Sequence, residues 1–169
     1  MIKDLIPYVK RDGEWSISLH TIIGIYDCIT KTGIDEKVFV DGDIKNADDW
    51  LILCQNPANC MHIIVKDSRV EFVAWLNSWG YNSAFGHFFA MNSGNGMARK
   101  NGLKTIDYWF NHLKTDSWRL DAILGRIPST NVKAIKYVMG LGFRRLGDIP
   151  SIKYKGSDDR GATLFVMER

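Results

Sequence analysis

The sequence has few of the residues that hold small secreted or metal-dependent proteins together. Its 169 residues include 3 cysteines, Cys28, Cys54 and Cys60, and 4 histidines. The cysteines form no C-x-x-C pair, and the histidines show no ligand spacing with them. This pattern predicts reduced thiols in a cytoplasmic protein, with no disulfide framework and no structural metal.

Long hydrophobic runs and a strong net charge are also lacking. No apolar run approaches the ~18 residues of a membrane span, and the first residues lack the apolar core of a signal peptide. The net charge is +3, which is compatible with an anionic ligand but is too small to favour nucleic acid. With 46% hydrophobic and 24% charged residues, the composition predicts a folded globular protein without a membrane partner.

The first half of the chain shows helical spacing and then strand-like spacing. Residues 16–33 predict an amphipathic helix that stops at Gly33, and a short second helix follows with Asp48 or Asp49 as its cap. Residues 61–92 are rich in β-branched and aromatic side chains, with turn signals at 66–68 and 80–82. This stretch predicts three successive antiparallel strands.

The second half alternates between helix and strand. Its pattern predicts a helix that starts near Gly102, a strand over 119–127, a helix over 131–142 and two closing strands. No linker or repeat divides the chain. We therefore expect an α/β (mixed α+β) fold with a central mixed, mostly antiparallel sheet flanked by helices, in one domain over 1–169.

The loop over residues 93–105 is a candidate anion site. A loop that leads into a helix N-terminus presents unpaired N–H groups at the positive end of the helix dipole, and Arg99, Lys100 and Lys104 add charge. An ordinary surface loop with solubilising lysines explains the same residues. The loop is not a Walker A motif, because no Gly-Lys-Ser/Thr follows.

Two further features are candidates for function. Asn131 stands at a strand-to-helix junction, where it either caps the helix or also faces a ligand, and Gly142-Phe143 indicates a helix stop. His87 lies among phenylalanines on a predicted strand. It is either a half-buried structural residue or a group that moves a proton near neutral pH.

Taken in order, these features resemble the GNAT superfamily of N-acyltransferases, over about residues 70–169. The R-x-x-G-x-G/A-type loop of that family corresponds to Arg99 through Lys104. Its N-x-x-A helix running into L-G-F corresponds to Asn131, Ala134 and residues 141–143. The chain is most similar to a divergent branch with His87-Phe88 and with Ile-Pro-x-x-Asn over 127–131, a branch common in tailed phages and their bacterial hosts.

The resemblance implies an acyl-CoA-dependent, by default acetyl-CoA-dependent, N-acyltransferase of the bacterial or phage-infected cytoplasm. Residues 1–69 would form the acceptor side and residues 70–169 the acyl-CoA side. His87 would be the base, and Asn131 would line the cleft between splayed fourth and fifth strands. The pantetheine arm would pair with Phe89, Ala90 and Met91. The pyrophosphate would lie on the amides of Arg99, Lys100, Asn101, Gly102, Leu103 and Lys104.

Two positions depart from the family's pattern. Lys104 stands where the loop ends in Gly or Ala, and Val138 stands where a general-acid tyrosine is frequent, with Tyr137 one position earlier. These departures favour the alternative that the protein is an inactive binding or phage assembly protein of the same fold. A third alternative is nucleic-acid binding through basic residues, namely Arg126, Arg144, Arg145, Lys153 and Lys155. The unknown amine acceptor can be a small molecule or a protein.

Overall fold

The computed structural model describes residues 4–39, 42–91, 96–115, 118–153 and 160–169. The strands of the described chain are β1 (Leu5–Pro7), β2 (Lys10–Arg11), β3 (Glu14–Trp15), β4 (Cys60–Lys66), β5 (Arg69–Gly80), β6 (Ser83–Ala90), β7 (Lys114–Thr115), β8 (Trp118–Arg119), β9 (Ala122–Pro128), β10 (Arg144–Lys153) and β11 (Arg160–Glu168). The helices are α1 (Leu19–Lys31), α2 (Asp35–Val38), α3 (Ala47–Gln55), α4 (Met97–Asn111) and α5 (Val132–Leu141).

A seven-stranded sheet joins the two halves of the chain, in the order β1-β4-β5-β6-β9-β11-β10. Neighbouring strands are antiparallel except for β6 and β9, which run parallel. The predicted mixed, mostly antiparallel sheet with flanking helices is therefore confirmed. The three-strand meander β4-β5-β6 is confirmed too, with left-handed backbone at Asp67, Ser68 and Tyr81 in its two turns.

Helix ends follow local capping chemistry. The side chain of Ser18 caps α1, and Gly33 with φ 65° follows its end, as predicted. The cap of α3 is Asn46, whose Oδ1 accepts from the Asp49 amide at 2.9 Å, so the predicted cap at Asp48 or Asp49 was wrong by two or three residues. Asp48 and Asp49 lie in the first turn of α3 instead. An acidic residue is as favourable there as at the cap, because the helix dipole favours negative charge at its N-terminus.

The sheet separates two hydrophobic cores. Helices α1 and α3 cover one face, where Trp50 is fully buried against Trp75 and Phe89. Helices α4 and α5 cover the other face, where Trp109 is fully buried against Phe88. Each aromatic pair spans a helix–sheet interface, so the tryptophans fix how the helices lie on the sheet.

Several short elements were not predicted. The edge strand β1, the two-residue hairpins β2-β3 and β7-β8, and the four-residue helix α2 are too short to show a period. Helix α4 begins at Met97, five residues before the predicted start near Gly102. Among the described residues, no helix is both long enough and apolar enough to cross a membrane.

Candidate functional site

Strands β6 and β9 separate in the middle of the sheet. Their parallel pairing joins Ser83 to Ala122, Ala84 to Ile123 and Phe85 to Leu124, and no later pair forms among the described residues. Both strands nevertheless continue, β6 to Ala90 and β9 to Pro128. The result is a wedge-shaped cleft that opens toward the carboxyl ends of two parallel strands.

The main chain of β6 presents alternate residues to this cleft. The Met91 amide donates to the Glu71 carbonyl at 2.9 Å, so Met91 is hydrogen-bonded to β5 rather than to the cleft. Because antiparallel pairing alternates along a strand, Phe89 has the same orientation as Met91, whereas Phe88 and Ala90 turn their N–H and C=O groups toward the cleft. Of the predicted run Phe89–Met91, only Ala90 offers its backbone to a ligand there.

A cavity of about 450 Å³ fills the cleft and extends to residues of α2 and α3. Its wall combines residues from both halves of the chain: Lys37 and Asp43 near α2, Asn77 on β5, His87 on β6, Arg126 on β9 and Asn131 on α5. Titratable and amide side chains therefore meet where the two strands separate.

His87 is held in the cavity wall by two neighbours. Its Nε2 lies 3.0 Å from Asn77 Oδ1. Its ring stacks on Trp75 with centroids 4.8 Å apart and planes 3° from parallel. Burial, and then the positive charge of Arg126, lower the pKa of His87 from 6.5 to about 4. The imidazole is therefore neutral at pH 7, a condition for accepting a proton.

Within the described residues, the N-terminus of α4 has amide donors that no side chain of its N-cap residue accepts from. Gly96 precedes the helix in the left-handed conformation, with φ 69°. The Lys100 amide makes the first helical bond, to the Gly96 carbonyl at 3.2 Å. The amides of Met97, Ala98 and Arg99 consequently lie ahead of the helical ladder. Residues 93–95 of the predicted anion loop lie outside the described residues.

The other predicted loop residues lie inside the helix. Asn101 and Gly102 are buried in the second turn, and Leu103 is exposed on the outer face. The ammonium group of Lys104 lies 3.0 Å from Asp4 Oδ2. Lys104 is seven residues after Met97, a rise of about 10 Å along the axis. Its side chain therefore lies away from the helix start and does not obstruct it.

Helix α5 packs closely on the start of α4. The Tyr137 hydroxyl donates to the Ala98 carbonyl at 2.7 Å, and burial raises the pKa of Tyr137. A Cβ at Gly102 would contact that hydroxyl and would lie 2.9 Å from Leu141 Cδ2. Gly102 is thus a packing glycine, and Val138, where the family often has tyrosine, is 6% exposed in the same core.

Asn131 caps its helix, which is one of the two roles that the sequence left open, and its contact with a ligand stays a prediction. Its Oδ1 caps α5 by accepting from the Ala134 amide at 3.1 Å, and the residue lies in the cavity wall. The helix ends at Gly142 with φ 104°, which confirms the predicted glycine stop before Phe143.

Asn77 was not singled out in the sequence. It lies ten residues before His87, across the β5–β6 turn, where a one-residue bulge decides which side chain reaches the histidine. The turn signal at 80–82 predicts that the two strands pair, but no local signal predicts the bulge.

Two of the five basic residues of the nucleic-acid alternative form ion pairs. Arg144 lies 3.3 Å from Glu168 Oε2, and Arg145 forms an ion pair with Asp148. Lys155 lies outside the described residues. Within the described ranges, no cluster of three or more histidine, cysteine, aspartate or glutamate side chains is placed to hold a metal ion.

Solved structures of N-acetyltransferases share this architecture. The spermidine N-acetyltransferase SpeG from Vibrio cholerae, in complex with CoA and spermine, superposes with a TM-score of 0.72, at 15% identity over 98% of this chain and 96% of that chain. RimJ from Mycobacterium smegmatis, in complex with CoA-disulfide, has a TM-score of 0.70, at 13% identity over 90% of this chain and 79% of that one.

The chain has the GNAT fold. A third GNAT structure, the ribosomal-protein-S5-alanine acetyltransferase from Vibrio fischeri, has a TM-score of 0.68 at 13% identity and covers 90% of both chains. No protein-family model and no curated protein matches the sequence. The predicted resemblance to GNAT proteins is thus confirmed at the level of the fold.

Proposed function

We propose that the protein is an acyl-CoA-dependent N-acyltransferase, with acetyl-CoA as the donor and an amine as the acceptor. The observation that carries this proposal is the cleft between β6 and β9, where β6 has no β9 partner beyond Phe85 among the described residues. The N-terminus of α4, which follows β6 in the chain, has no side-chain cap in that part of the structure. The Tyr137–Ala98 hydrogen bond joins that helix start to the cavity wall.

The residues present suit an extended pantetheine arm. An amide-bearing chain in the cleft would bind the backbone of Phe88 and Ala90 as an added strand does, in place of the missing β9 partner. Asn131, on the opposite wall, would border the same chain while it caps α5. Phe89 and Met91 would support this edge from the α1–α3 side, where both side chains pack.

The start of α4 suits the pyrophosphate. Amides of Met97, Ala98 and Arg99 at the positive end of the helix favour an anion. The family's G-x-G/A ending then falls on Gly96 and Ala98, rather than on Gly102 and Lys104. In this register the exposed Arg99 and Lys100 lie in the first turn, and Lys104 is not part of the loop.

On the side where the amine substrate enters, this chain would orient the amine and provide a base that takes its proton. When bound, the acyl-CoA supplies a thioester whose C–S bond breaks as the acceptor nitrogen forms a new C–N bond. Neutral His87 would take the proton that the nitrogen loses, directly or through a water molecule. Main-chain N–H groups at the cleft edge of β6 would stabilise the charge that develops on the carbonyl oxygen.

The acceptor would enter from the side formed by residues 1–69. Lys37, Asp43 and their neighbours around α2 line the cavity on the face that carries His87. The V. cholerae neighbour was solved with spermine, and another neighbour is named for a ribosomal protein alanine. Both acceptors present an amine, which supports an amine acceptor for this chain.

A thermal melt with acetyl-CoA and with CoA tests the proposal. Ligand at about 100 times its dissociation constant adds roughly 2.7 kcal/mol, a rise in Tm of about 5–10 °C for a domain of this size. The double variant Arg99→Glu/Lys100→Glu should lose most of the rise, and Arg99→Gln/Lys100→Gln should keep more of it. Glutamates in the first turn favour the helix itself. Both double variants lose the 3.0 Å hydrogen bond that Arg99 Nε donates to the Gly140 carbonyl, so the glutamine pair controls for that structural loss. No rise at millimolar acetyl-CoA would refute the proposal.

The buried Val138 favours a second candidate, a protein that binds acyl-CoA without turnover. A valine cannot protonate the leaving thiolate, and the hydroxyl of Tyr137 is bonded to Ala98. Release of CoA thiol in the presence of candidate amines separates the two functions. A thermal shift without thiol release over a broad amine panel would favour the second candidate.

A further inference from the structure

Strand β5 carries a bulge at the acceptor end of the cavity. Its register against β6 shifts between Asn77 and Gly80, and Ser78 within the bulge has φ 50°. Left-handed backbone at a residue other than glycine is uncommon and unfavourable. Bulges of this kind re-aim side chains, and they are frequent beside active sites. Here the residue beside the strained position is Asn77.

The bulge brings Asn77 to the edge of the His87 ring. In the sheet register His87 is opposite Trp75, and Asn77 is opposite Phe85, so Asn77 reaches His87 diagonally. Trp75 covers the face of the ring, and Asn77 Oδ1 holds Nε2 at 3.0 Å. A carboxamide oxygen only accepts hydrogen bonds, so this contact is a hydrogen bond when Nε2 carries the hydrogen and Nδ1 keeps its lone pair.

Nδ1 of His87 is the ring nitrogen that remains for a ligand. It makes no hydrogen bond in the described chain, and it is not among the fully buried polar atoms without a partner. His87 lines the cavity, and Nδ1 is the ring nitrogen to which we assign the contact with a ligand there. The bulge, Trp75 and Asn77 together hold the His87 ring in place. They leave Nδ1 as the one ring nitrogen that can accept a hydrogen bond.

We propose that Asn77 is a positioning residue, which holds His87 as the Nε2–H tautomer so that the Nδ1 lone pair receives a hydrogen from the acceptor amine. This inference rests on the proposed function. In the reaction the amine nitrogen forms the C–N bond, its proton passes to Nδ1, and the C–S bond breaks with release of the thiolate. The proton then leaves Nδ1 for solvent or for the thiolate.

Burial, and then one nearby positive charge, keep the ring of His87 in its neutral form. Arg126 on β9, Lys37 on α2 and Asp43 after α2 line the same cavity, and Tyr137 on α5 lines it with its hydroxyl bonded to Ala98. Burial and Arg126 lower the pKa of His87 to about 4. A neutral ring has two possible tautomers, and selecting one of them is the task assigned to Asn77.

The test is ¹⁵N NMR of the histidine side chains in the free protein, with His87 assigned through His87→Gln. The wild type should show the Nε2–H tautomer. Asn77→Leu should give a mixture of the two tautomers. Asn77→Asp should keep Nε2–H and raise the pKa of His87, because a carboxylate favours the imidazolium. Tyr81→Asn, in the adjoining turn and fully exposed, is the matched control and should leave the His87 signals unchanged.

A wild-type Nδ1–H tautomer, or an unchanged tautomer in Asn77→Leu, would overturn the inference. Neither result depends on acyl-CoA, so the failure of this inference and the failure of the proposed function are distinguishable. With an acceptor identified, Asn77→Leu should lower kcat on the order of tenfold with KM little changed. This is less than the roughly 10²–10⁴-fold contribution of a proton-transfer group itself, because Asn77 only positions the ring. Asn77→Asp should restore part of kcat and move the acid limb of the pH profile to higher pH.

Discussion

The hydroxyl of Tyr137 donates a 2.7 Å hydrogen bond to the main-chain carbonyl of Ala98, which joins helix α5 to the first turn of α4. Gly102, one turn further along α4, lies against both Tyr137 and Leu141. The two helices approach closely because position 102 carries no side chain. The contact fixes the wall of the cavity against the candidate anion site.

Gly102→Ala should therefore destabilise the protein. Overpacking costs about 1–3 kcal/mol, more than the ~1 kcal/mol that alanine contributes to a helix interior. The expected result is a Tm lower by a few °C, with partial recovery in Gly102→Ala/Tyr137→Phe. Gly140→Ala on α5 is the control: a Cβ there meets no atom within 4 Å, so its Tm should rise. Equal shifts in both glycine variants would contradict the packing role.

Asn131→Ala should lower stability by removing the cap of α5. Loss of an N-cap side chain costs about 1 kcal/mol, which corresponds to about 2–4 °C in Tm. Asn131→Asp keeps an oxygen acceptor for the Ala134 amide and should melt near the wild-type temperature. If Asn131→Ala and wild type melt alike, capping is not the structural role of this side chain.

Lys104→Gln should leave the acetyl-CoA-induced thermal shift unchanged, because its ammonium group pairs with Asp4 some two turns from the helix start. The pair is partly exposed, so its loss should cost no more than about 1 kcal/mol. Asp4→Asn should cost about as much as Lys104→Gln, and the double variant little more. A thermal shift abolished in Lys104→Gln would return this lysine to the binding loop.

His62 should make stability fall as the pH is lowered. The ring is 1% exposed, its Nε2 has no partner in the described chain, and burial lowers its pKa from 6.5 to about 3. Between these values the unfolded chain binds a proton that the folded chain does not. Stability therefore drops by up to ~1.4 kcal/mol per pH unit from this residue.

Denaturant unfolding at pH 7 and pH 5 measures this effect. His62→Leu should lose about 2 kcal/mol less than wild type between the two values. The half-buried His87 adds pH dependence of the same sign in both proteins, because its partial burial and Arg126 lower its pKa as well. His20→Leu, at an exposed position of α1, is the control variant. The prediction is wrong if His62→Leu and wild type respond equally to pH.

The sequence by itself determined the features that depend on neighbours along the chain. The helix stops at Gly33 and Gly142, the cap at Asn131 and the three-strand meander follow from local conformational preferences and from hydrophobic periodicity. The order of the motifs was enough to indicate the GNAT fold, because that order can be seen in the linear sequence without any knowledge of tertiary contacts.

The tertiary structure decided where the candidate anion site starts along the chain and which residues lie next to His87. Helical periodicity continues smoothly across Met97 and Gly102, so the sequence pattern could not locate the first turn of α4. The left-handed backbone at Gly96 marks where that turn begins. The direction of the Lys104 side chain, which the sequence left open, is set by its contact with Asp4, 100 residues away in sequence. Asn77 reaches His87 only through a bulge between two strands, and pairing between strands is a contact that no local pattern contains.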